Sequence, residues 1–284
     1  MTRVNERFDI QYGTQTIPFT YSVFSGGEVN VKLLPPFTVF CGQACTIEAK
    51  MSKPEDLIIL MMLKDAVVRM CRPSHMKLRM PYIPYARQDR VMDNGEALSI
   101  KVFCEAINAM QFDLVMVVDS HSDVATACLA RCIEVKQEEV FRPFHNIISD
   151  QDVVVIPDAG ASKKSLKVCK KLSISRVVQA AKVRDVVSGA ITSTEVYCKD
   201  DEVVGRTCYI FDDICDNGGT FIALAKKLKE KGAAKVVLCV VHGIFPNGVD
   251  HIFEGGVDDI WTTDSLFGYC KDERIKLMKL NYTY

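Results

Sequence analysis

The 284-residue chain contains twelve cysteines but no two of them at C-x-x-C spacing. Cys41/Cys45 and Cys128/Cys132 each enclose three residues, so the common zinc-site and dithiol-motif spacings are missing. Most of the other cysteines, Cys208 and Cys239 among them, lie inside apolar runs, where a thiol acts as a small buried hydrophobe. The opening residues, Met1 to Asp9, are polar and charged and do not read as a secretory signal. A reduced, cytoplasmic protein is therefore expected. The purely apolar run near Leu57 to Leu63 is too short to span a bilayer. Neither sign of charge prevails: 35 Lys and Arg against 36 Asp and Glu leave about −1, which argues against a dedicated nucleic-acid or membrane surface. Low-complexity tracts and long linkers are absent too. What is present is ordinary for a globular chain, with 48% hydrophobic and 25% charged residues. The length suffices for two modest domains, each with its own core.

One stretch organises the rest, Tyr209-Ile210-Phe211-Asp212-Asp213-Ile214-Cys215-Asp216-Asn217-Gly218-Gly219-Thr220. An apolar run from Cys208 to Phe211 ends in two carboxylates, a short polar loop follows, and an amphipathic helix is expected over Phe221 to Lys231. Glycines at 218 and 219 let backbone N–H groups face a bound group without an intervening Cβ. The helix start adds unpaired donors and partial positive charge, which suits a phosphate. Asp212 and Asp213 are expected at the strand's carboxyl end, where ligands bind in open α/β sheets. Carboxylates do not attract a phosphate, so sugar hydroxyls or magnesium are their natural partners. A ribose 5-phosphate site follows. The plainer alternative is turn chemistry, with Asp216 or Asn217 simply capping the helix.

The first half predicts strands over Ile17 to Phe24, Val29 to Leu33 and Phe37 to Cys41. A helix from Pro54 to about Cys71 follows, with apolar positions at Leu57, Leu60, Met61, Ala66 and Val68. A strand over Met76 to Ile83, a helix over Ala97 to Met110 and a buried strand over Leu114 to Val118 complete that half. The second half predicts a strand over Val153 to Ile156, a lysine-rich helix over Ser162 to Leu172, and a strand over Arg176 to Ala180. A hairpin region over Val186 to Cys198, a strand over Lys235 to Val241, and last strands over Asp258 to Trp261 and Ile275 to Leu280 follow. Alternating strands and helices imply α/β domains with mainly parallel sheets. The expected division is 1–140 with nucleotide-binding motifs and 141–284 with the ribose 5-phosphate loop, the last strand being free to return to the first domain.

Polar motifs recur at the strand ends. Phe24-Ser25-Gly26-Gly27-Glu28, Tyr85-Ala86-Arg87-Gln88-Asp89-Arg90, Asp119-Ser120-His121-Ser122, Pro157-Asp158-Ala159-Gly160 and Lys182-Val183-Arg184 join the 209–220 loop. In order and spacing along nearly the whole chain they resemble those of the ribose-phosphate pyrophosphokinases (PRPP synthetases), which have a phosphoribosyltransferase-like fold. The resemblance implies transfer of the β,γ-diphosphoryl group of ATP to the 1-hydroxyl of ribose 5-phosphate. It implies nucleotide contacts from Phe24, Glu28, Arg87, Gln88, Arg90 and His121, and a Mg2+ linked to His121 and Asp158. Lys182, Arg184 and His121 would serve catalysis. Asp212, Asp213, Asp216, Asn217, Gly218, Gly219 and Thr220 would hold ribose 5-phosphate. If the chain is extended there, Lys182 and Arg184 point to one side. The resemblance further implies a homo-oligomer built from dimers, up to a hexamer, with the active site between domains and near a neighbouring subunit.

Two departures stand out. The family's catalytic loop reads Lys-Arg-Arg where this chain has Val183 in the middle. The family commonly has an acidic residue, which helps read the adenine amino group, where this chain has Gly26; the loss of that acceptor would weaken donor selectivity. Two rival functions are a catalytically silent subunit of the same family and a phosphoribosyltransferase that consumes PRPP. Intact His121, Lys182 and Arg184 argue against the first, and the first-half motifs against the second.

Overall fold

The computed structural model describes residues 4–34, 41–184, 191–199, 201–266, 268 and 271–280, with the side chains of 4–5, 182–184 and 191–194 left out. The chain divides into two compact units, Met1–Val135 and Lys136–Tyr284. Each is an α/β unit with a mainly parallel sheet. Among the described residues no helix is long and apolar enough to cross a membrane.

The first unit runs α1 (Val4–Arg7), β1 (Phe8–Tyr12), β2 (Gln15–Thr16), β3 (Phe19–Val23), β4 (Val29–Leu33), β5 (Ala44–Ala49), α2 (Glu55–Cys71), β6 (His75–Arg79), α3 (Ser99–Ala109), β7 (Leu114–Val118), α4 (Asp123–Cys128) and β8 (Cys132–Val135). Its sheet has the order β2-β1-β5-β6-β7-β8, antiparallel at β2-β1-β5 and parallel from β5 to β8. Strands β3 and β4 form a separate antiparallel ribbon. Helix α2 turns Ile59, Leu60, Leu63, Val67 and Cys71 into the core and leaves Met61 and Val68 exposed. Its apolar residues ring the helix on all sides, so sequence periodicity does not single out the packed face. The strand expected over Met76 to Ile83 ends at Arg79, and of the segment Phe37 to Cys41 only Cys41 is among the described residues.

A charged lock closes this unit. Asp56, fully buried on α2, accepts from Arg7 Nε at 3.1 Å and Nη2 at 2.7 Å, and from the backbone N–H groups of Ser52 at 2.8 Å and Lys53 at 3.0 Å. Four donors meet this buried carboxylate, and removing it takes away the two hydrogen bonds it accepts from the buried Arg7 guanidinium, with Glu55 at 3.8 Å a more distant counter-charge. Asp56→Ala is expected to cost on the order of 3–5 kcal/mol, read as a lower urea midpoint at unchanged slope.

The second unit runs α5 (Gln137–Val140), a 3-10 helix (Arg142–Asn146), β9 (Val153–Ile156), α6 (Ser162–Leu172), β10 (Val177–Arg184), β11 (Ile191–Tyr197), β12 (Thr207–Cys215), α7 (Gly219–Glu230), β13 (Lys235–Gly243), α8 (Asp250–Glu254), β14 (Asp259–Thr263) and β15 (Ile275–Met278). The sheet order is β11-β10-β9-β12-β13-β14-β15, parallel except for the β10–β11 pair. Strand β15 pairs with β14, so the last strand stays in this sheet and does not return to the first unit. Strand β11 pairs back on β10; residues 185–190 of the expected hairpin region lie outside the described residues.

Phe221, Leu224, Ala225 and Leu228 of α7 form an i, i+3, i+4, i+7 stripe that packs with Val236, Leu238 and Val240 of β13. An aromatic cluster holds Tyr209, Phe211 and Trp261 with Phe141 and Phe144, Phe144 lying 4.1 Å from Trp261 and Phe141 lying 5.0 Å from Phe211 between ring centroids. Burial pushes the thiols of Cys45, Cys104 and Cys208 up to about 12, so they stay protonated as apolar filler.

Candidate active site

In the second unit the site is built on β12. The strand does not stop at Phe211 as expected: it pairs with β13 through Ile214↔His242 and Cys215↔Gly243. Asp212 and Asp213 therefore sit within the strand. The Asp213 carboxylate, mostly buried, takes an ion pair at 3.1 Å from Lys164 of α6. Asp212 accepts the N–H of Asp213 at 2.8 Å. Burial first, then the charges of Asp213 and Asp158, hold the Asp212 carboxyl well above the usual carboxylate range, although part of its side chain meets solvent. Asp158 follows β9 and accepts the N–H of Ala161 at 3.0 Å, which fixes the Pro157–Gly160 turn.

Beyond Cys215 the chain makes a tight loop into α7. Gly218 is the helix N-cap with φ +74°, a left-handed conformation suited to glycine, and no side-chain hydrogen bond caps the helix. A Cβ at Gly218 would come within 2.8 Å of Ile252 Cγ1 and Cδ1. Gly218 itself has no side chain with which to bond the first-turn N–H groups, and a helix start of this kind suits an anion. Asn217 accepts from Asn247 Nδ2 on its Oδ1 and from His251 Nε2 on its backbone carbonyl, both at 2.9 Å. Thr220 lies partly exposed in the first turn, and Gly219 is exposed at its start.

Lys182 and Arg184 lie in β10, Lys182 opposite Thr194, and their side chains lie outside the described residues. The register shifts between Val183 and Arg184. The two-residue alternation that would aim both cations to one side is thus interrupted before Arg184.

In the first unit, Phe24 is 59% exposed at the tip of the β3–β4 ribbon. Its N–H donates to Glu28 O at 2.8 Å, and a Cβ at Gly26 would lie 3.2 Å from Glu28 Oε2. Tyr85 opens the arginine motif at φ +66°, its carbonyl accepting the N–H of Gln88 at 2.9 Å. Such a conformation is uncommon for a non-glycine residue and often marks a functional turn. Arg87, Gln88 and Arg90 are exposed. Gln88 borders a cleft of about 250 Å³ lined by Pro54, Leu57, Tyr82, Tyr85 and Phe103. His121 is exposed after Asp119 (φ 38°) and Ser120, whose N–H and hydroxyl both meet Glu134 Oε1 at 3.0 Å. Burial works to raise Asp89, but Ser122, Arg90 and His121 outweigh it and hold the carboxyl below its ordinary value. The arginine motif and the histidine turn are therefore neighbours.

Sequence reasoning did not single out Lys164, Asn247 or His251. Lys164 was one of several lysines on a helix, and the other two reach Asn217 from 30 and 34 residues away, with no local pattern to mark them. As for Mg2+, Asp158 after β9 offers a hard carboxylate oxygen, and His121 after β7 an exposed imidazole. Among the described residues no group of three or more His, Cys, Asp or Glu is arranged to enclose a metal. Such a sparse set fits Mg2+, which keeps waters and phosphate oxygens as ligands.

Comparison with known proteins decides the family. The ribose-phosphate pyrophosphokinase of Xanthomonas campestris pv. campestris is 30% identical over 255 residues, covering 86% of this chain and 76% of the relative. The chain belongs to the ribose-phosphate pyrophosphokinase family. Ribose-phosphate pyrophosphokinase 2 of Archaeoglobus fulgidus is 29% identical over 280 residues, covering 98% of this chain and 93% of that one. A family model described as phosphoribosyl synthetase-associated domain matches residues 153–280. The crystal structure of phosphoribosylpyrophosphate synthetase from Mycobacterium smegmatis superposes with a TM-score of 0.77 at 21% identity, covering 93% of this chain and 87% of that one, and so shares the fold. Membership in the pyrophosphokinase family makes this chain a member of an enzyme family.

Proposed function

We propose that the chain transfers the β,γ-diphosphoryl group of ATP to the 1-hydroxyl of D-ribose 5-phosphate, giving 5-phospho-α-D-ribose 1-diphosphate and AMP. The observation that carries the reading is the glycine-started N-terminus of α7 following the carboxylates of β12. The loop's amides and the helix start would take the 5-phosphate. Asp212 and Asp213 would accept from the ribose hydroxyls, with Asp213 oriented by Lys164.

Arg87, Gln88, Arg90, Phe24 and Glu28 are assigned to the nucleotide. A guanidinium offers a planar fork of donors to polyphosphate oxygens. His121 and Asp158 would hold Mg2+, which when bound neutralises triphosphate charge. Lys182 and Arg184 would meet the charge that builds on the transferring group, since catalysis of such transfers is mostly positioning and electrostatic stabilisation. The assembly is assigned as a homo-oligomer built from dimers.

The test is a donor panel. Purified protein with Mg2+, ribose 5-phosphate and ATP, dATP, GTP or CTP is expected to yield PRPP and the matching monophosphate. Gly26 leaves Glu28 as the acceptor in its turn, so more than one nucleotide is expected to serve, and Gly26→Asp to narrow the panel towards ATP. The Glu28 carboxylate near position 26 is a flexible side-chain end, so the added Cβ is accommodated. No product from any nucleotide would move the reading to a silent subunit.

A further inference from the structure

The loop that would take the phosphate is held from outside by a segment with no assigned role. Asn247 Nδ2 donates to Asn217 Oδ1, and His251 Nε2 donates to the Asn217 carbonyl, each at 2.9 Å. One residue further on, the Ile252 side chain lies so close to Gly218 that even a methyl group there would meet it at 2.8 Å. The segment thus meets the loop at a side-chain amide and a backbone carbonyl, and fills the space where a Gly218 side chain would stand. Ile252, fully buried, anchors the segment in the hydrophobic core of the second unit.

The geometry points to Asn247 and His251 as positioning residues for phosphate recognition. Asn247 occupies the oxygen end of the Asn217 amide, so the nitrogen end is the one left to face an anion. A carboxamide presents donors at nitrogen and lone pairs at oxygen. Which end faces the phosphate therefore decides between attraction and repulsion. His251 fixes the peptide carrying that side chain, and its Nε2 must bear hydrogen to donate to a carbonyl. Neutral and protonated imidazole both meet that need. This inference rests on the proposed ribose 5-phosphate site.

The discriminating variant is Asn247→Asp. A carboxylate cannot donate, so it pairs with Asn217 Nδ2 and turns the oxygen towards the ligand. Removing the partner, as in Asn247→Ala, only frees the amide to rotate. KM for ribose 5-phosphate is expected to rise about thirtyfold for Asn247→Asp, the scale of one lost hydrogen bond to a charged group, and about threefold for Asn247→Ala, whose Asn217 amide is free to turn either way. kcat should change less than about twofold, because the contact is made equally in ground and transition states. His251→Gln keeps an N–H donor and should stay near wild type, whereas His251→Leu should raise KM. A purely charge-based effect of Asn247→Asp would fade in high salt, and a turned amide would not.

Calorimetric binding of ribose 5-phosphate to the whole protein separates the possibilities. Wild-type binding with variants that match it would overturn the positioning role. Wild-type binding weakened in the order Ala then Asp, without turnover on any nucleotide, would support the role and remove the reaction. A wild-type protein that binds no ribose 5-phosphate would remove both.

Discussion

Lys182→Ala is expected to lower turnover about a thousandfold, a loss typical of removing a preorganised charge from a transition state, while ATP binding changes little. Charge spreads over the oxygens of the transferring group, and a cation placed there acts most strongly when that charge peaks. Nucleotide affinity is assigned elsewhere, to the Arg87–Arg90 motif and the Phe24–Glu28 turn. Lys182 holds a fixed place on β10, paired with Thr194 just before the register shift at Val183/Arg184. Lys182→Arg keeps the charge with a different shape and should recover part of the rate. Single-turnover measurement of PRPP formation, alongside equilibrium ATP binding, reads both parts. Unchanged turnover in Lys182→Ala would remove the catalytic assignment.

Asp212→Asn is expected to lower kcat/KM for ribose 5-phosphate by at least about a hundredfold, the scale of two lost hydrogen bonds to a charged group, and yet to raise Tm at neutral pH. Burial and the neighbouring charges of Asp213 and Asp158 raise the Asp212 carboxyl in the folded chain above its unfolded value of about 3.9. Between those two values the folded state binds the proton more tightly than the unfolded state, so stability falls as pH rises. Above the folded value the full cost is present. Asparagine abolishes that cost, a common trade at functional sites. The Tm advantage of the variant should be absent below about pH 4 and grow towards neutrality. A Tm difference that stays flat with pH would contradict the crowding of Asp212.

Elements with a single clear local signal were legible in the chain. Strands β7 and β9 and helix α6 fall at the expected residues, because apolar runs of strand length and an amphipathic lysine-rich helix leave little ambiguity. Where pattern and pairing disagree, pairing wins. Asp212 and Asp213 have poor strand propensity, yet the ladder to β13 carries β12 through them to Cys215. Strands β1 and β5 were not anticipated, although Phe8, Ile10 and Tyr12 alternate inward along β1. Their signals are short and interrupted by Asp9, Gln11, Thr46 and Glu48. Of the candidate site, the 216–220 loop and the Asp212–Asp213 pair could be named from residue order alone. The contacts of Lys164 with Asp213 and of Asn247 and His251 with Asn217 exist only once distant segments meet.

Strands β12 and β13 continue past their neighbours: β9 matches β12 only up to Ile210, whereas β12 and β13 stay paired to Cys215 and Gly243. Asp212 and Asp213 thus stand where β12 and β13 run on together beyond the end of β9. On the other side Thr263 of β14 donates to the Val241 carbonyl at 2.6 Å and Ser265 Oγ lies 2.9 Å from His242 Nδ1, so the neighbouring strand braces that end. Mutational drift in β15, which among the described residues pairs with β14 alone, can therefore accumulate at the edge while this paired end keeps its shape, whereas β10, which carries Lys182 and Arg184, has no such room.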